Sequence, residues 1–249
     1  MSWTTIKDVD HIFVICHLEK EKDKHIKWIE WMNKNKVSSE YLTFYCYKWG
    51  TELTKEDFEK YSLDDGTLTR LFPFRKPFPL KPSEISLGIN FLNIFKKGLE
   101  MKYKNILVFE SDAIIHPNFM MLMNKIVEDE LCKMNDWDIF SLGCGMNKHY
   151  PNIFKNKHIY RAKEIRCADS LIISSRGMKT LVDSIPILKL PIDEHYDLLI
   201  KSNKINILWL EPTLVLQGSQ IGFNPTTIRY TDSIYVNPHE YKWLQNAIK

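Results

Sequence analysis

The chain has no cysteine pattern. Its five cysteines, Cys16, Cys46, Cys132, Cys144 and Cys167, stand apart with no CxxC spacing. An odd, scattered set excludes a disulfide framework and a thiolate zinc site, and predicts reduced thiols. Long hydrophobic runs are also missing. None approaches the ~20 apolar residues that span a bilayer, and the polar, charged residues 1–10 do not read as a signal peptide. These absences predict a soluble chain with no transmembrane segment, located in the cytoplasm of a bacterium or of a virus-infected host. Charge of one sign is scarce: the formal net charge is +3, too little to predict a nucleic-acid partner. No internal repeat, low-complexity stretch or linker interrupts the chain, so one domain over residues 1–249 is expected. What is present suits a globular fold. The 249 residues are 44% hydrophobic and 12% aromatic, enough to bury a sizeable core, and 26% charged residues fit a folded surface. Lys-, Ile- and Asn-rich usage fits an AT-rich genome, viral or bacterial.

Hydrophobic patterning alternates between strands and helices. Residues 11–16, 41–47, 105–109, 137–142, 170–174 and 205–210 read as strands. Helices are expected over 19–36, 55–60, 82–102, 118–134, 176–184, 191–203 and 241–248. In the helix at 82–102, Ile85, Ile89, Leu92, Phe95 and Leu99 recur at helical spacing. Residues 62–81 read as a long loop, with Asp65-Gly66 and then Pro73, Pro77 and Pro79. Another loop is expected over 146–166, crowded with Lys148, His149, Lys155, Lys157, His158, Arg161, Lys163 and Arg166. The alternation predicts an α/β fold with a mainly parallel sheet, whose ligands bind beyond the carboxyl ends of the strands.

The most informative motif is Glu110-Ser111-Asp112, directly after the apolar run 105–109. Side chains two apart on a strand point the same way, which places the two acids over one cleft with Cα atoms roughly 6–7 Å apart. Two carboxylates at a strand end can seat Mg²⁺ or Mn²⁺, which fills its remaining positions with water and phosphate oxygens. That chemistry suits an enzyme handling a nucleotide diphosphate. An acidic pair after a strand is also a common loop start or helix cap.

The order of segments resembles glycosyltransferase family 25, the lipopolysaccharide-type and collagen-type galactosyltransferases, over residues 11–222. Residues 83–91 take the place of the family's Gly-Glu-Ile-Gly-Cys-x-x-Ser-His helix. Glu110-Ser-Asp112 takes the place of its Glu-Asp-Asp. Pro117 and Phe119, Trp137-Asp138, Leu142-Gly143, residues 171–177, Pro191-Ile-Asp193, and Pro212 with Gln217 and Ser219 follow in the family's order. The departures are Ser83 for glycine, Asn90 and Phe91 for Ser-His, and Ser111 for the middle acid. A viral or otherwise divergent member fits this pattern.

This resemblance implies a single GT-A-type nucleotide-diphospho-sugar transferase domain. The implied activity moves a hexose, galactose or glucose first, from a UDP-sugar to a glycan or glycoconjugate acceptor, with inversion. Mn²⁺ or Mg²⁺ is the implied cofactor, with Asp112 as direct ligand and Glu110 on the ribose or a metal-bound water. Asp193 is the candidate general base, matching the family's Pro-x-Asp, while its alternative role is a helix cap. Asp169, before a strand, is a second candidate base or a simple loop acid. Glu84 lies near the active site in the family; its alternative is to complement its own helix dipole. His17, Trp49, Gln217 and Ser219 are candidate donor-binding residues, against ordinary core and turn roles. His195 faces the same choice. The rival reading is a catalytically silent sugar- or nucleotide-binding module on the same scaffold. A nucleotidyltransferase usually has a Gly-rich phosphate loop after its first strand, and Cys16-His-Leu-Glu19 is not one.

Overall fold

This computed structural model describes residues 6–63, 65–71, 80–143, 148–149 and 158–218, with the backbone alone for 68, 69, 148 and 149. In chain order the elements are β1 (His11–Ile15), α1 (Lys22–Asn35), β2 (Leu42–Tyr45), α2 (Lys55–Tyr61), α3 (Thr67–Leu71), α4 (Pro82–Glu100), β3 (Asn105–Glu110) and β4 (Ala113–Ile115). There follow α5 (Phe119–Asp129), β5 (Ile139–Ser141), β6 (Lys148–His149), β7 (Ile159–Glu164), β8 (Ser170–Ser174), α6 (Ser175–Ser184), α7 (Ile192–Lys201), β9 (Ile207–Leu210) and β10 (Val215–Gln217).

The fold is α/β, built on one mainly parallel sheet of order β2-β1-β3-β8-β5-β9-β7-β6. Strands β2, β1 and β3 pair in parallel. β8 runs antiparallel between β3 and β5, so β5 and its parallel neighbour β9 point the same way as β1. Strands β7 and β6 close the far edge in antiparallel pairing. A separate two-stranded ribbon joins β4 to β10.

Both faces of the sheet are covered, which is why β1 reads as an unbroken apolar run. Strand alternation divides its side chains. Phe13 and Ile15 join one core with α4, α6 and α7. Ile12 and Val14 join the other with α1 and α5. Helix α4 ends at Glu100 and α5 at Asp129, short of the expected 102 and 134. After α5 a 3-10 turn, Leu131–Lys133, replaces the last helical turn.

The expected loop over 62–81 contains the short helix α3, and the loop over 146–166 contains strands β6 and β7. None of Cys16, Cys46, Cys132 and Cys167 is in a disulfide. Among the described residues, no helix is long and apolar enough to cross a membrane. Cys144 and the expected helix at 241–248 lie outside the described residues.

Helix α4 is pinned to the segment leaving β2. Asn90 is buried at 2% exposure. Its Oδ1 accepts from Tyr47 N at 2.6 Å and its Nδ2 donates to Ser86 O at 2.9 Å. The Ser86 hydroxyl donates to Lys48 O at 2.6 Å. Residues 47–49 are thereby fixed against the helix. Asn90→Ala removes the partner of the Tyr47 N–H and leaves the site of a buried amide empty, so a loss of about 1–2 kcal/mol is expected. Urea denaturation measures it, and a midpoint equal to wild type rejects the role.

Candidate active site

The C-terminal ends of β1, β2, β3 and β5 lie on one edge of the sheet. Because β8 runs the opposite way, its beginning reaches that edge too. It brings Asp169, the residue just before β8, to the edge where the parallel strands end. The Glu110 N–H donates to the Asp169 carbonyl at 2.9 Å, locking the end of β3 to the start of β8. Glu110 is the last residue of its strand, and Ser111 and Asp112 form the turn into β4. The two acids therefore meet through a turn and not through strand alternation. Gly218 N donates to the Asp112 carbonyl at 2.9 Å, and Gln217 Nε2 donates to Glu110 Oε2 at 3.3 Å. The β4–β10 ribbon thus delivers Gln217 to the acidic motif. Ser219 lies outside the described residues.

Asp169 is buried, at 2% exposure. Its Oδ2 accepts from the Ser170 hydroxyl at 3.0 Å. A Cβ on residue 143 would lie 1.9 Å from that Oδ2, so the carboxyl occupies space that only glycine leaves open. Burial, and then the charge of Asp112, push the Asp169 carboxyl up to about 7, against the hydrogen bond from Ser170. Glu110 opens partly to the cleft. Burial first, then the charges of Asp112, Asp169 and Asp193, push it well above the usual carboxylate range, while Lys24 acts the other way. Four acids therefore share one electrostatic cluster centred on Glu110.

Asp193 stands in the first turn of α7. Its Oδ2 accepts from Cys167 N at 3.1 Å and its Oδ1 from Glu194 N at 3.0 Å. Cys167 adopts a left-handed backbone, φ 69°, and this turn aims its N–H at the carboxylate. Next to it Arg166 bridges Glu194 and, at 3.4 Å, Asp197. Asp197 Oδ1 also accepts from Ile165 N at 2.6 Å. These contacts fasten the segment before Asp169 to α7.

His17 and Trp49 meet on the same edge, after β1 and near β2. Their rings pack edge to face with centroids 5.8 Å apart. His17 Nε2 lies 3.3 Å from Glu52 Oε1, and Lys20 Nζ donates to the same oxygen at 2.5 Å. Between this pair and the acids sits a second network. The Ser111 hydroxyl donates to Glu21 Oε1 at 2.6 Å, and Lys24 Nζ donates to the same oxygen at 2.6 Å and to the Ser111 hydroxyl at 3.2 Å. Sequence reading passed over Glu21 and Lys24. Their only signal was position just after β1, where a helix start faces the ligand edge of an α/β sheet.

Two other candidates have local structural partners. Glu84 Oε2 accepts from Lys81 N at 2.9 Å, closing a capping box at the start of α4. His195 Nε2 faces Lys189 N at 3.2 Å and Leu190 N at 3.3 Å, a half-buried pin for the turn before α7. Burial and then Lys189 push its imidazole down to about 4. The Trp137-Asp138 motif serves the opposite edge: Asp138 accepts from Arg176 Nε at 2.6 Å and from Asn206 N at 2.8 Å.

Among the described residues, no group of three or more His, Cys, Asp or Glu is arranged to hold a metal ion. A hard cation needs less, since one or two carboxylates suffice when phosphate oxygens and water complete the shell. The donor set fits one. All are oxygens, and burial first, then repulsion between the acids, has lifted Glu110 and Asp169, a strain that a bound cation relieves.

The chain is thus an α/β protein with an acidic cluster at the carboxyl edge of its sheet. No protein-family model matches it, and no curated protein sequence matches it. Solved structures do. One is the mannose-1-phosphate geranyltransferase from Thermus thermophilus, with 8% identity, 83% of this chain and 73% of that chain covered, and a TM-score of 0.40. The resemblance to family 25 rests on its ordered motifs alone, and the case for function rests on the cleft.

Proposed function

We propose that this chain is a GT-A-type glycosyltransferase that moves a hexose, galactose or glucose, from a UDP-sugar to a hydroxyl of a glycan or glycoconjugate. The observation that carries the reading is the acidic cluster: Asp112, Asp169 and Asp193 all act on Glu110 at the edge that also carries the His17–Trp49 pair. Glu110 and Asp112 would hold Mn²⁺ or Mg²⁺, which neutralises charge on a leaving diphosphate.

The chain's own residues do the rest. Trp49, half-buried and braced by His17, offers a face to a base or sugar. Gln217 fixes Glu110, and Gly218 fixes the Asp112 turn. Asp193, held by two backbone N–H groups, takes the proton from the acceptor hydroxyl as that oxygen attacks the anomeric carbon. The nucleotide diphosphate leaves from the opposite face, and the product is inverted. Asp169, lifted to about 7 by burial, is only partly ionised near neutral pH, which suits it less to the role of base.

Nucleotide release from a panel of UDP-, GDP-, CMP- and dTDP-sugars, with Mn²⁺ and with EDTA, tests this. Release from a UDP-hexose that EDTA stops is the expected result. Silence across the panel, both alone and with glycan acceptors, replaces the reading by a sugar- or nucleotide-binding module.

A further inference from the structure

Tyr196 is enclosed at 0% exposure in the core between α4, α7 and the sheet. Its hydroxyl is buried and has no hydrogen-bond partner among the described residues. A hydroxyl in that state is costly, and a native fold that retains one calls for an explanation. Replacing the ring by an aliphatic side chain of the core would avoid the cost, so packing alone does not explain the oxygen. Its position does. Tyr196 lies three residues after Asp193 on α7, a spacing that brings two side chains onto one helix face.

Burial, then the charges of Asp193 and Glu110, push the phenol well above its usual range. It keeps its proton at any working pH, and it is a donor beside acceptors it does not yet engage. The other charged groups around Asp193 are Glu110 from β3, Arg166 from the segment before Asp169, and Glu194 and Asp197 from its own helix. Arg166 is engaged by Glu194 and Asp197.

We propose that Tyr196 is the positioning residue of the candidate base: its hydroxyl donates to the Asp193 carboxylate once the acceptor occupies the cleft, and so aims the carboxylate at the acceptor hydroxyl. The inference rests on the transferase reading and on Asp193 as base. It completes an arrangement common to general bases, in which a third group orients the base. Both oxygens of Asp193 already accept one backbone N–H, and each carboxylate oxygen has a second lone pair for this bond.

Tyr196→Phe removes only the oxygen. The test compares wild type, Tyr196→Phe and Asp193→Asn in thermal melting and in turnover of the sugar nucleotide found by the panel, with acceptor, across pH. For Tyr196→Phe the expected result is a melting temperature equal to or above wild type, since the lost hydroxyl was unpaired. Its kcat should fall about tenfold or more with KM within about twofold, the signature of an interaction made in the transition state. The acidic limb of its kcat profile should move to higher pH, because a carboxylate that loses a donor binds its proton more tightly. For Asp193→Asn a loss of at least about a hundredfold is expected.

If Asp193→Asn is inactive while Tyr196→Phe keeps the wild-type kcat and acidic limb, Tyr196 is not the positioning residue and the base assignment stands. A fully active Asp193→Asn overturns the base assignment, and this inference with it. A Tyr196→Phe enzyme that melts lower and loses activity with no shift of the limb assigns the residue to packing alone.

Discussion

Asp112→Asn is expected to abolish Mn²⁺-dependent nucleotide binding and turnover while making the ligand-free protein more stable. The two effects have one cause. Asp112 contributes charge that lifts both Glu110 and Asp169 out of the ordinary carboxylate range. Those neighbours are strained because the cleft concentrates negative charge in a site shielded from water, where repulsion is weakly screened. Asparagine keeps the shape and removes the charge. Glu110 and Asp169 then ionise at less cost, and the melting temperature at pH 8 should rise by roughly 2–4 °C for each kcal/mol relieved. The same change removes the charged oxygen proposed to bind the metal, so nucleotide affinity in the presence of Mn²⁺ should fall by about a hundredfold or more. Calorimetric titration with UDP and Mn²⁺ reads the first effect, and differential scanning calorimetry without ligand reads the second. A variant that binds UDP with full Mn²⁺ dependence removes Asp112 from the site. One that is less stable than wild type shows that the acid serves the fold. Such opposition between stability and function is common where active-site charges crowd together.

The second large effect is a pair of opposed pH slopes. His195 has its folded pKa depressed to about 4 by burial. Its contribution to stability is present above the unfolded value near 6.5 and is lost as pH falls toward 4, by up to about 3 kcal/mol. Asp169 has its folded pKa raised to about 7. Its contribution is fully present below the unfolded value near 4 and is lost as pH rises through 7, by up to about 4 kcal/mol. Between pH 4 and 6.5 the two slopes oppose each other, each of about 1.4 kcal/mol per pH unit at its steepest.

Single variants separate them. His195→Gln should tilt the profile so that stability gains toward acid relative to wild type. Asp169→Asn should tilt it so that stability is lost toward acid. Urea midpoints at pH 4.5, 5.5, 6.5 and 7.5 decide it. Parallel profiles for all three proteins would show that neither group titrates in the folded state as its burial requires. Glu110, raised as well, adds to the Asp169 slope; it cancels between wild type and His195→Gln, whereas in Asp169→Asn the lost neighbouring charge lowers it too and deepens the tilt in the same direction.

Much of the scaffold was legible because burial on two faces leaves a plain mark. β1 and β8 are continuous apolar runs bounded by polar residues, and β8 was placed at its observed limits. Helix α4 was equally plain, since its apolar side chains recur every three or four residues. β7 escaped notice for the opposite reason. Its burial does not alternate strictly, and a strand carrying Arg161, Lys163 and Glu164 among six residues reads as a charged loop. The β4–β10 ribbon was missed because three-residue strands carry too little pattern to register.

The site divides along the same line. The Glu110-Ser-Asp112 motif was visible as a strand end, although a turn and not strand alternation brings its acids together. His17 and Trp49 were named separately, and nothing in the chain said that β1 and β2 are neighbours that bring the two rings together. Glu84 and His195 are acid and imidazole in local backbone traps, and only three-dimensional contacts distinguish such groups from groups turned toward a ligand.

By itself the sequence determined the fold class, the buried strands, the main helices and the acidic motif, because each is written in local periodicity or in adjacent residues. Tertiary structure alone decided the strand order. It placed an antiparallel strand whose beginning carries Asp169 to the edge where parallel strands end, with Gly143 leaving room for the carboxyl. It also set Asp193 and Tyr196 within electrostatic reach of Glu110, more than eighty residues away in the chain. Pairing and charge coupling across such separations depend on which surfaces pack together, and no local pattern encodes that.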